Sequence, residues 1–462
     1  MKYICYLCMT LVILSFHRLG AQNLSNQHDA TIVSQIFKET LANNEIPGHL
    51  HVLSKEIGNR MAGTMQAKQA VKWIELQLRE LNADSVYLQP VQIPVWTRGE
   101  KEKAFMMSEK GEKQAMRVLA LGNSVGTDGV LNAEVVEIRS WEQLKAMPDE
   151  HIKGKFVFYN RPMDPTKRDP FDAYVEAVDQ RGIGAIEAAK KGAIGALVRS
   201  LTMAIDDYPH TGAMQYAEHV KKIPAAALST LAADRLSAAL AKNPHLKFSL
   251  EMHCSTLPDI ISHNVIAEIK GSTCPDQYVT IGAHTDTWDV GEGASDDATG
   301  IVQTIEALRV FKTLDLKPKR SIRFIFYMNE ESGAHGGEQY ANEVERKNEK
   351  HLASIESDAG GFQPVGFRFG GASKAMEKIE QYSALLVPYG IGQLKEGHRG
   401  VDIAPMKDLS PVLLSLDCES HRLFDIHHSA LDTLETLNFR EVGLGAAAMA
   451  TMAYLISENG LK

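Results

Sequence analysis

Residues 278–300 read YVTIGAHTDTWDVGEGASDDATG and carry the clearest signal of the fold class. The mostly apolar run from Tyr278 to Ala283 predicts a buried strand. After a polar, glycine-rich turn, the run from Thr299 to Leu314 carries apolar residues at helical spacing and predicts an amphipathic helix. A buried strand, a turn and a helix in this order indicate an α/β protein, in which ligands bind beyond the carboxyl ends of the strands.

Three later segments repeat the pattern of a buried strand that ends in polar residues. They are Ser321 to Met328, Leu352 to Ile355 and Val412 to Leu416. The polar clusters therefore fall where an open α/β sheet binds its ligands.

The N-terminal part of the chain is predicted to be structural. Asp29 to Leu41 and Gln66 to Leu81 have the periodicity of amphipathic helices, and Val86 to Ile93 has the pattern of a strand. The polar stretch from Thr97 to Glu112 is expected to separate these elements from the next part of the chain.

Residues 118–252 differ in character from the rest of the chain. Short strands such as Lys155 to Tyr159 alternate with helices there, and few clustered histidine or acidic residues suit a ligand role. We interpret this segment as a domain inserted into a catalytic domain that is formed by residues 22–117 and 253–462.

The composition limits the class of partner. The chain has 462 residues, of which 44% are hydrophobic and 23% charged, and this is typical of a globular protein. Its formal net charge of −9 argues against nucleic-acid binding, because such proteins concentrate Lys and Arg on one face. A peptide or another small molecule is the expected partner.

The first residues have the pattern of a signal peptide. Lys2 precedes an apolar run from Ile4 to Phe16, and Leu19 to Ala21 resembles a cleavage site. The run is too short to span a membrane stably, and no later run is long enough. We therefore expect residues 1–21 to be removed and the protein to be secreted or periplasmic, without a membrane span.

Three cysteines lie beyond the predicted signal peptide. They are Cys254, Cys274 and Cys418, and none has the spacing of a metal site. Cys254 and Cys274 either form a disulfide or remain buried thiols, and the sequence leaves both possibilities open.

Residues that suit metal binding follow the first predicted strand. His284 comes directly after it, and Asp286 is placed to hold the second imidazole nitrogen, as a zinc-bound histidine requires. Asp296 and Asp297 lie in the glycine-rich turn, where Asp297 suits a helix cap and Asp296 suits a bridge between two cations. A turn or a cap would explain each of these residues taken alone.

Further acidic and histidine residues follow the later strands. Glu330 and Glu331 come after the second strand, Asp358 after the third, and His428 lies near the C-terminus. Oxygen and imidazole donors in this ratio suit zinc or cobalt. We expect Glu331 to bind metal and Glu330, left free, to take a proton from the attacking water.

Five segments resemble the metal-site blocks of a zinc exopeptidase family, the one that contains bacterial leucyl aminopeptidases and glutamate carboxypeptidase. Their order and approximate spacing are also similar, and the resemblance covers most of the chain after residue 21. The carboxypeptidase branch of that family is the most similar. The five segments are His284-Thr-Asp286, Gly293-Ala-Ser-Asp-Asp297, Asn329-Glu-Glu331, Ser357-Asp-Ala-Gly360 and His427-His-Ser429.

The resemblance implies a site for two Zn²⁺ ions, for which Co²⁺ or Mn²⁺ can substitute. His284 and Asp358 would bind one ion, Glu331 and His428 would bind the other, and Asp296 would bridge them. It also implies a mixed central sheet flanked by helices, of the phosphorylase and hydrolase-like kind, with an inserted protease-associated domain.

The resemblance assigns roles to the neighbouring residues as well. Glu330 would be the general base, Asp286 would orient His284, and a cis peptide bond would join Asp296 to the next residue. His427 is a candidate for substrate binding, and it stands where aminopeptidases of the family often have a tyrosine, so that oxyanion stabilisation by this position stays open.

The end of the peptide that is recognised stays open. A carboxypeptidase or dipeptidase needs a cation for the substrate carboxylate, for which Arg399, His398 and Arg422 are candidates, although ordinary surface charge explains each of them. An aminopeptidase, a single-zinc glutaminyl cyclase and a non-catalytic module like the transferrin receptor ectodomain are the alternatives. Relatives suggest a homodimer.

Overall fold

The computed structural model describes residues 27–107 and 111–461, and the predicted signal peptide lies outside them. Within the described residues the strands form two eight-stranded sheets. We number the strands in chain order: β1 Ser85–Thr97, β2 Lys103–Met107, β3 Lys113–Ala115, β4 Val118–Ala120, β5 Leu131–Ile138, β6 Phe156–Tyr159, β7 Gly195–Arg199, β8 Ala225–Leu228, β9 Lys247–Glu251, β10 Ser255–Ile269, β11 Cys274–His284, β12 Arg320–Tyr327, β13 Lys350–Glu356, β14 Pro364–Gly371, β15 Gln393–Glu396 and β16 Val412–Cys418.

Helices cover the sheets and connect the strands. The α-helices of the described residues are α1 27–43, α2 Ile46–His51, α3 Met65–Glu80, α4 Trp141–Ala146, α5 Asp149–Ile152, α6 Pro170–Ala177, α7 Asp179–Gly182, α8 Gly184–Lys190, α9 Thr230–Lys242, α10 Thr299–Thr313, α11 Glu330–Gly333, α12 His335–Lys347, α13 Ser373–Ser383, α14 Leu423–Ile426 and α15 Phe439–Asn459. In this part of the chain, no helix is both long and apolar enough to cross a membrane.

The first sheet has the strand order β1-β10-β12-β11-β13-β16-β14-β15. Its central strands β12, β11, β13 and β16 run parallel to one another. Strand β10 runs antiparallel to β1 and β12, whereas β14 runs antiparallel to β16 and parallel to β15. This mixed sheet with helices packed against it confirms the predicted α/β class.

The register of the central strands brings their carboxyl ends to one edge. Gly282 of β11 pairs with Ile325 on one side and with Glu356 on the other. His284 therefore ends its strand level with Tyr327, and the loops after β12 and β13 start beside it. This alignment positions the polar segments that the sequence placed after each strand.

Two buried helices pack against this sheet, α10 and α15. The predicted helix from Thr299 to Leu314 corresponds to α10, Thr299–Thr313. The sequence did not reveal α15, since apolar and small residues surround all its faces after the first turn and leave no amphipathic stripe.

The second sheet has the order β3-β2-β9-β5-β6-β7-β8-β4 and lies within Lys103–Glu251, which we call the second-sheet region. Its strands β2 and β3 precede residue 118, so the predicted boundary of the inserted segment falls inside this sheet. The stretch from Thr97 to Glu112, predicted as a polar separator between two parts of the chain, contains the strand β2. Ala104 and Met106 alternate with more exposed neighbours in β2 and are buried, which makes it a strand despite the charged surroundings.

The cysteines Cys254, Cys274 and Cys418 are free thiols in the structure. Of the two possibilities that the sequence left open for Cys254 and Cys274, the unpaired one is therefore observed.

Candidate metal centre and cavity

His284 is the last residue of β11, and a hydrogen bond at Nδ1 fixes the orientation of its ring. Its Nδ1 lies 2.9 Å from the backbone carbonyl oxygen of Asp286, which can only accept a hydrogen bond. The proton is thereby held on Nδ1, and Nε2 is left with its lone pair. Nε2 lies 3.1 Å from Oδ1 of Asp296 and 3.3 Å from Oδ1 of Asp358.

Asp286 holds His284 through its backbone rather than through its carboxylate. The carboxylate Oδ1 instead accepts hydrogen bonds from the backbone N–H groups of Asn329, at 2.6 Å, and Glu330, at 3.1 Å. The side chain of Asp286 therefore fixes the turn after β12 that carries the two glutamates.

The turn before α10 carries the other carboxylates. The Asp296-Asp297 peptide bond is cis, as the resemblance implied. Asp297 accepts hydrogen bonds from the N–H groups of Gly300, at 2.9 Å, and His284, at 3.3 Å, so it ties this turn to the start of α10 and the end of β11. Asp296 is left to point into the site.

The two oxygens of Asp296 face two separate groups. Oδ1 faces His284, whereas Oδ2 lies 3.2 Å from Nε2 of His428. The same nitrogen of His428 lies 3.1 Å from Oε2 of Glu331. One group is thus His284, Asp358 and Asp296 Oδ1, and the other is His428, Glu331 and Asp296 Oδ2.

The buried carboxylates are electrostatically unfavourable without a cation. Burial and the neighbouring Asp296 raise the pKa of Glu331 to about 7, and burial raises the pKa of Asp358. Burial opposes protonation of His428, but Glu331 and Asp296 raise its pKa to about 9. Acidic groups this close need a positive charge among them.

The donor set fits zinc. Two imidazole Nε2 atoms and three carboxylates converge, and Oε1 of Glu331 is buried with no hydrogen-bond partner among the described residues. Mixed nitrogen and oxygen donors of this kind are typical of catalytic zinc sites.

His427 lies beside the second group. Its ring stacks on that of His428 with centroids 3.5 Å apart, and its Nε2 is 3.7 Å from Oδ2 of Asp296. Burial and the adjacent His428 hold the pKa of His427 well below its usual range, so the imidazole is neutral. It reaches the wall of the cavity with its ring.

A cavity of about 490 Å³ opens next to this centre. Glu330, Glu331, Asp296, Asp358, His427 and His428 are all on its wall. Another part of the wall comes from the second-sheet region and includes Asn123, Phe171, Tyr174, Arg181 and Gln215. The cavity is therefore formed by both sheets, in the size range of small-ligand pockets.

Of the cationic candidates for substrate binding, only Arg399 reaches this cavity. Its guanidinium is already paired with Asp169 and Asp172, each at 3.1 Å. Arg422 forms an ion pair with Glu441 at 2.6 Å and, like His398, does not line the cavity.

Three residues that the sequence analysis did not propose support the centre. Asp432 accepts hydrogen bonds from the N–H groups of Ser295, at 2.7 Å, and Asp296, at 3.1 Å. His210 contacts the carbonyl oxygen of His427 with Nδ1 at 2.6 Å. Arg60 is fully buried and donates to carbonyl groups around the same loop. Asp432 alone had a signal, its place four residues after His428.

Comparison with known proteins identifies the family. Residues 264–451 match the model of peptidase family M28. Carboxypeptidase Q of Xenopus laevis is 36% identical over 420 residues, which cover 90% of this chain and 87% of that protein. The chain belongs to peptidase family M28. This membership confirms the resemblance seen in the sequence and the prediction of a zinc-dependent exopeptidase.

Solved structures agree with the M28 assignment. An M28 peptidase precursor from Shewanella amazonensis SB2B has 32% identity and a TM-score of 0.89, with 95% of this chain and 98% of that chain covered. An aminopeptidase from Aneurinibacillus sp. strain AM-1 has 21% identity and a TM-score of 0.63, with 93% and 97% covered, and shares the fold.

Proposed function

We propose that this M28 protein is an exported di-zinc exopeptidase that hydrolyses dipeptides or short peptides, with carboxypeptidase Q as the relative whose activity it shares. The observation that carries the proposal is the position of Asp296. Its two oxygens face two separate groups of donors, His284 with Asp358 and His428 with Glu331. A carboxylate placed in this way suits a bridge between two ions.

Zinc ions held by these five residues would supply Lewis acidity, which lowers the pKa of water and polarises the scissile carbonyl. Glu330 lies on the cavity wall beside Glu331 and is not needed as a ligand. Its carboxylate accepts a proton from the water whose oxygen bonds to the carbonyl carbon. It then passes this proton to the nitrogen of the leaving amine as the C–N bond breaks.

The Glu330→Gln variant tests this assignment of the base. Glutamine keeps the size of the side chain but cannot accept the proton, so kcat should fall about 100-fold or more. Zinc content by mass spectrometry should stay at the wild-type value. A variant with both metals and full activity would remove Glu330 from the mechanism.

The alternatives are less well supported. A non-catalytic module does not require a buried cluster of metal-ligand candidates beside a glutamate that lines a cavity. A single-zinc cyclase has no use for a bridging carboxylate. An aminopeptidase remains the closest alternative, and the terminus that is recognised decides between them.

Export and a homodimer belong to the same proposal. Export is supported by the sequence of residues 1–21, and the homodimer rests on resemblance to relatives. Mass spectrometry of the N-terminus of protein secreted by its native host should find a chain that begins at Gln22. Retention of Met1 in that material would contradict the signal peptide.

A further inference from the structure

Arg181 is a buried cation that has no acidic partner among the described residues. Its exposed fraction is 9%, and it lines the same cavity as the metal-ligand candidates. Its hydrogen bonds run to the hydroxyl of Tyr174, at 2.7 Å, and to the carbonyl oxygen of Thr211, at 3.3 Å, both of which are neutral. Buried arginines are normally paired with an anion, since burial of an uncompensated charge is costly.

The guanidinium is held in place but not saturated. Tyr174 lies under it, with the guanidinium carbon 5.4 Å from the ring centroid, and a Cβ on Gly212 would come within 2.3 Å of an Arg181 nitrogen. Its Nε is buried without a hydrogen-bond partner. A guanidinium has five N–H donors in a planar fork that matches a carboxylate, so donors remain for a ligand.

The charges on the cavity wall favour an anionic substrate end over a cationic one. The carboxylates among its lining residues are Asp296, Glu330, Glu331 and Asp358, all of which the proposed mechanism already uses. None is left for a substrate ammonium group. Arg399, the other cation on the wall, is neutralised by Asp169 and Asp172.

We propose that Arg181 binds the free α-carboxylate of the peptide, so that the enzyme is a dipeptidase or carboxypeptidase. This inference rests on the proposed peptidase function and names its substrate class. The second-sheet region thus supplies the specificity group, while the first sheet supplies the chemistry. A substrate that joins the two must be short, since both groups line the same cavity.

The test compares alanyl-leucine with alanyl-leucine amide, which lacks the carboxylate charge. The wild-type enzyme should hydrolyse the free dipeptide with a kcat/KM about 100-fold higher than that of the amide, because a buried charge pair would be lost. Arg181→Gln should abolish this preference mainly through KM, and Arg181→Lys should restore part of it. Arg399→Gln should keep it.

Binding separates a failure of this inference from a failure of the peptidase function. In the Glu330→Gln background, calorimetry should show weaker binding of the free dipeptide when Arg181→Gln is added, and no change for the amide. Equal loss for both ligands would reduce Arg181 to a structural role. The proposal would be overturned if Arg399→Gln, and not Arg181→Gln, abolished the preference for the free dipeptide over the amide. It would also be overturned if the wild-type enzyme cleaved the amide as well as the free dipeptide. If neither the free dipeptide nor the amide were cleaved in a chelator-sensitive way, the peptidase function itself would be contradicted. The binding measurements alone would then show whether Arg181 binds the carboxylate.

Discussion

Arg60 shows how a single side chain can hold the loops around the metal centre. It is 0% exposed and donates to backbone carbonyl oxygens from three parts of the chain. The acceptors are Thr285, Leu53, Gly58, Glu292 and Gly293, at 2.9 to 3.3 Å. Burial lowers the pKa of Arg60 to about 10, and the group stays charged at neutral pH.

We expect Arg60→Met to lower the free energy of unfolding by about 3 kcal/mol, because buried carbonyl groups would lose their donor. Urea denaturation measures this. Arg79→Met is the matched control, since Arg79 is half exposed, forms its ion pair with Glu75 on its own helix and donates to a single backbone carbonyl oxygen, that of Val86. A loss for Arg60→Met no larger than that of the control would contradict the role of Arg60.

Asp432 positions the bridging ligand through the backbone. Its two oxygens accept from Ser295 and Asp296, so Asp432→Asn would leave one N–H group facing an amide donor. Zinc affinity, measured by competition with a chromophoric chelator, should fall about 10- to 100-fold. Asp276→Asn at an exposed position should keep the wild-type affinity. An unchanged affinity of Asp432→Asn would show that the turn does not need this carboxylate.

Much of the site could be predicted at the residue scale, and some of it could not. The ligand candidates His284, Glu331 and Asp358 lie at or just after the ends of strands, where pattern and chemistry coincide. Arg60 and His210 bind backbone atoms far away in sequence, and no local pattern marks such contacts. Arg399 was a candidate from the sequence and Arg181 was not, because the sequence does not show which arginine already has acidic neighbours.

Among the secondary-structure elements, the central strands of the first sheet could be predicted from the sequence. Apolar runs marked β11, β12, β13 and β16 with errors of a few residues at their ends. The strand β2 was hidden because lysines and glutamates surround it, and α15 because it is buried on all sides. Periodicity reveals elements with one exposed face, and it is weak where burial is complete or the segment is short.

An ionic network around β12 of the first sheet should make the stability of the fold sensitive to acid. Arg323 of β12 contacts Glu268 and Glu349, each at 2.5 Å. Burial alone would raise the pKa of Glu349, but His351 and Arg323 lower it to about 2. A carboxylate with a lowered pKa stabilises the fold above its unfolded pKa of 4.5, and this stability is lost as the pH falls towards about 2.

Glu349→Gln should therefore destabilise the protein most at pH 6 to 7, by about 1.5–3 kcal/mol, since it removes a charged hydrogen-bond partner. The difference from wild type should shrink as the pH drops below 4.5. Urea denaturation at a series of pH values measures it. A difference that is constant from pH 7 to pH 3 would contradict the ionic origin.

At the scale of the molecule, the two sheets meet at the metal centre. His210 and the N–H group of Thr211 contact the carbonyl groups of His427 and His428. Trp288, four residues after His284, packs on Gly122 of the second-sheet region and lies 5.8 Å from the ring of His428. The second-sheet region thus supports the ligands as well as the cavity wall, which the sequence could not show.

Gly122→Ala tests this contact, because its Cβ would lie 1.8 Å from the Trp288 ring. Displacement of the ring should cost about 1–3 kcal/mol of stability and should also lower kcat/KM. Gly182→Ala is the control, since no atom lies within 4 Å of its Cβ position. Wild-type stability and activity of Gly122→Ala would show that the two regions are not coupled through Trp288.

The pair of zinc ions bridged by Asp296 can be counted by native mass spectrometry of the zinc-saturated protein. We expect two zinc ions per chain. A chelator should remove both ions, and dipeptide hydrolysis should be lost with them. A fully active protein with one zinc ion per chain at saturation would contradict the bridged pair.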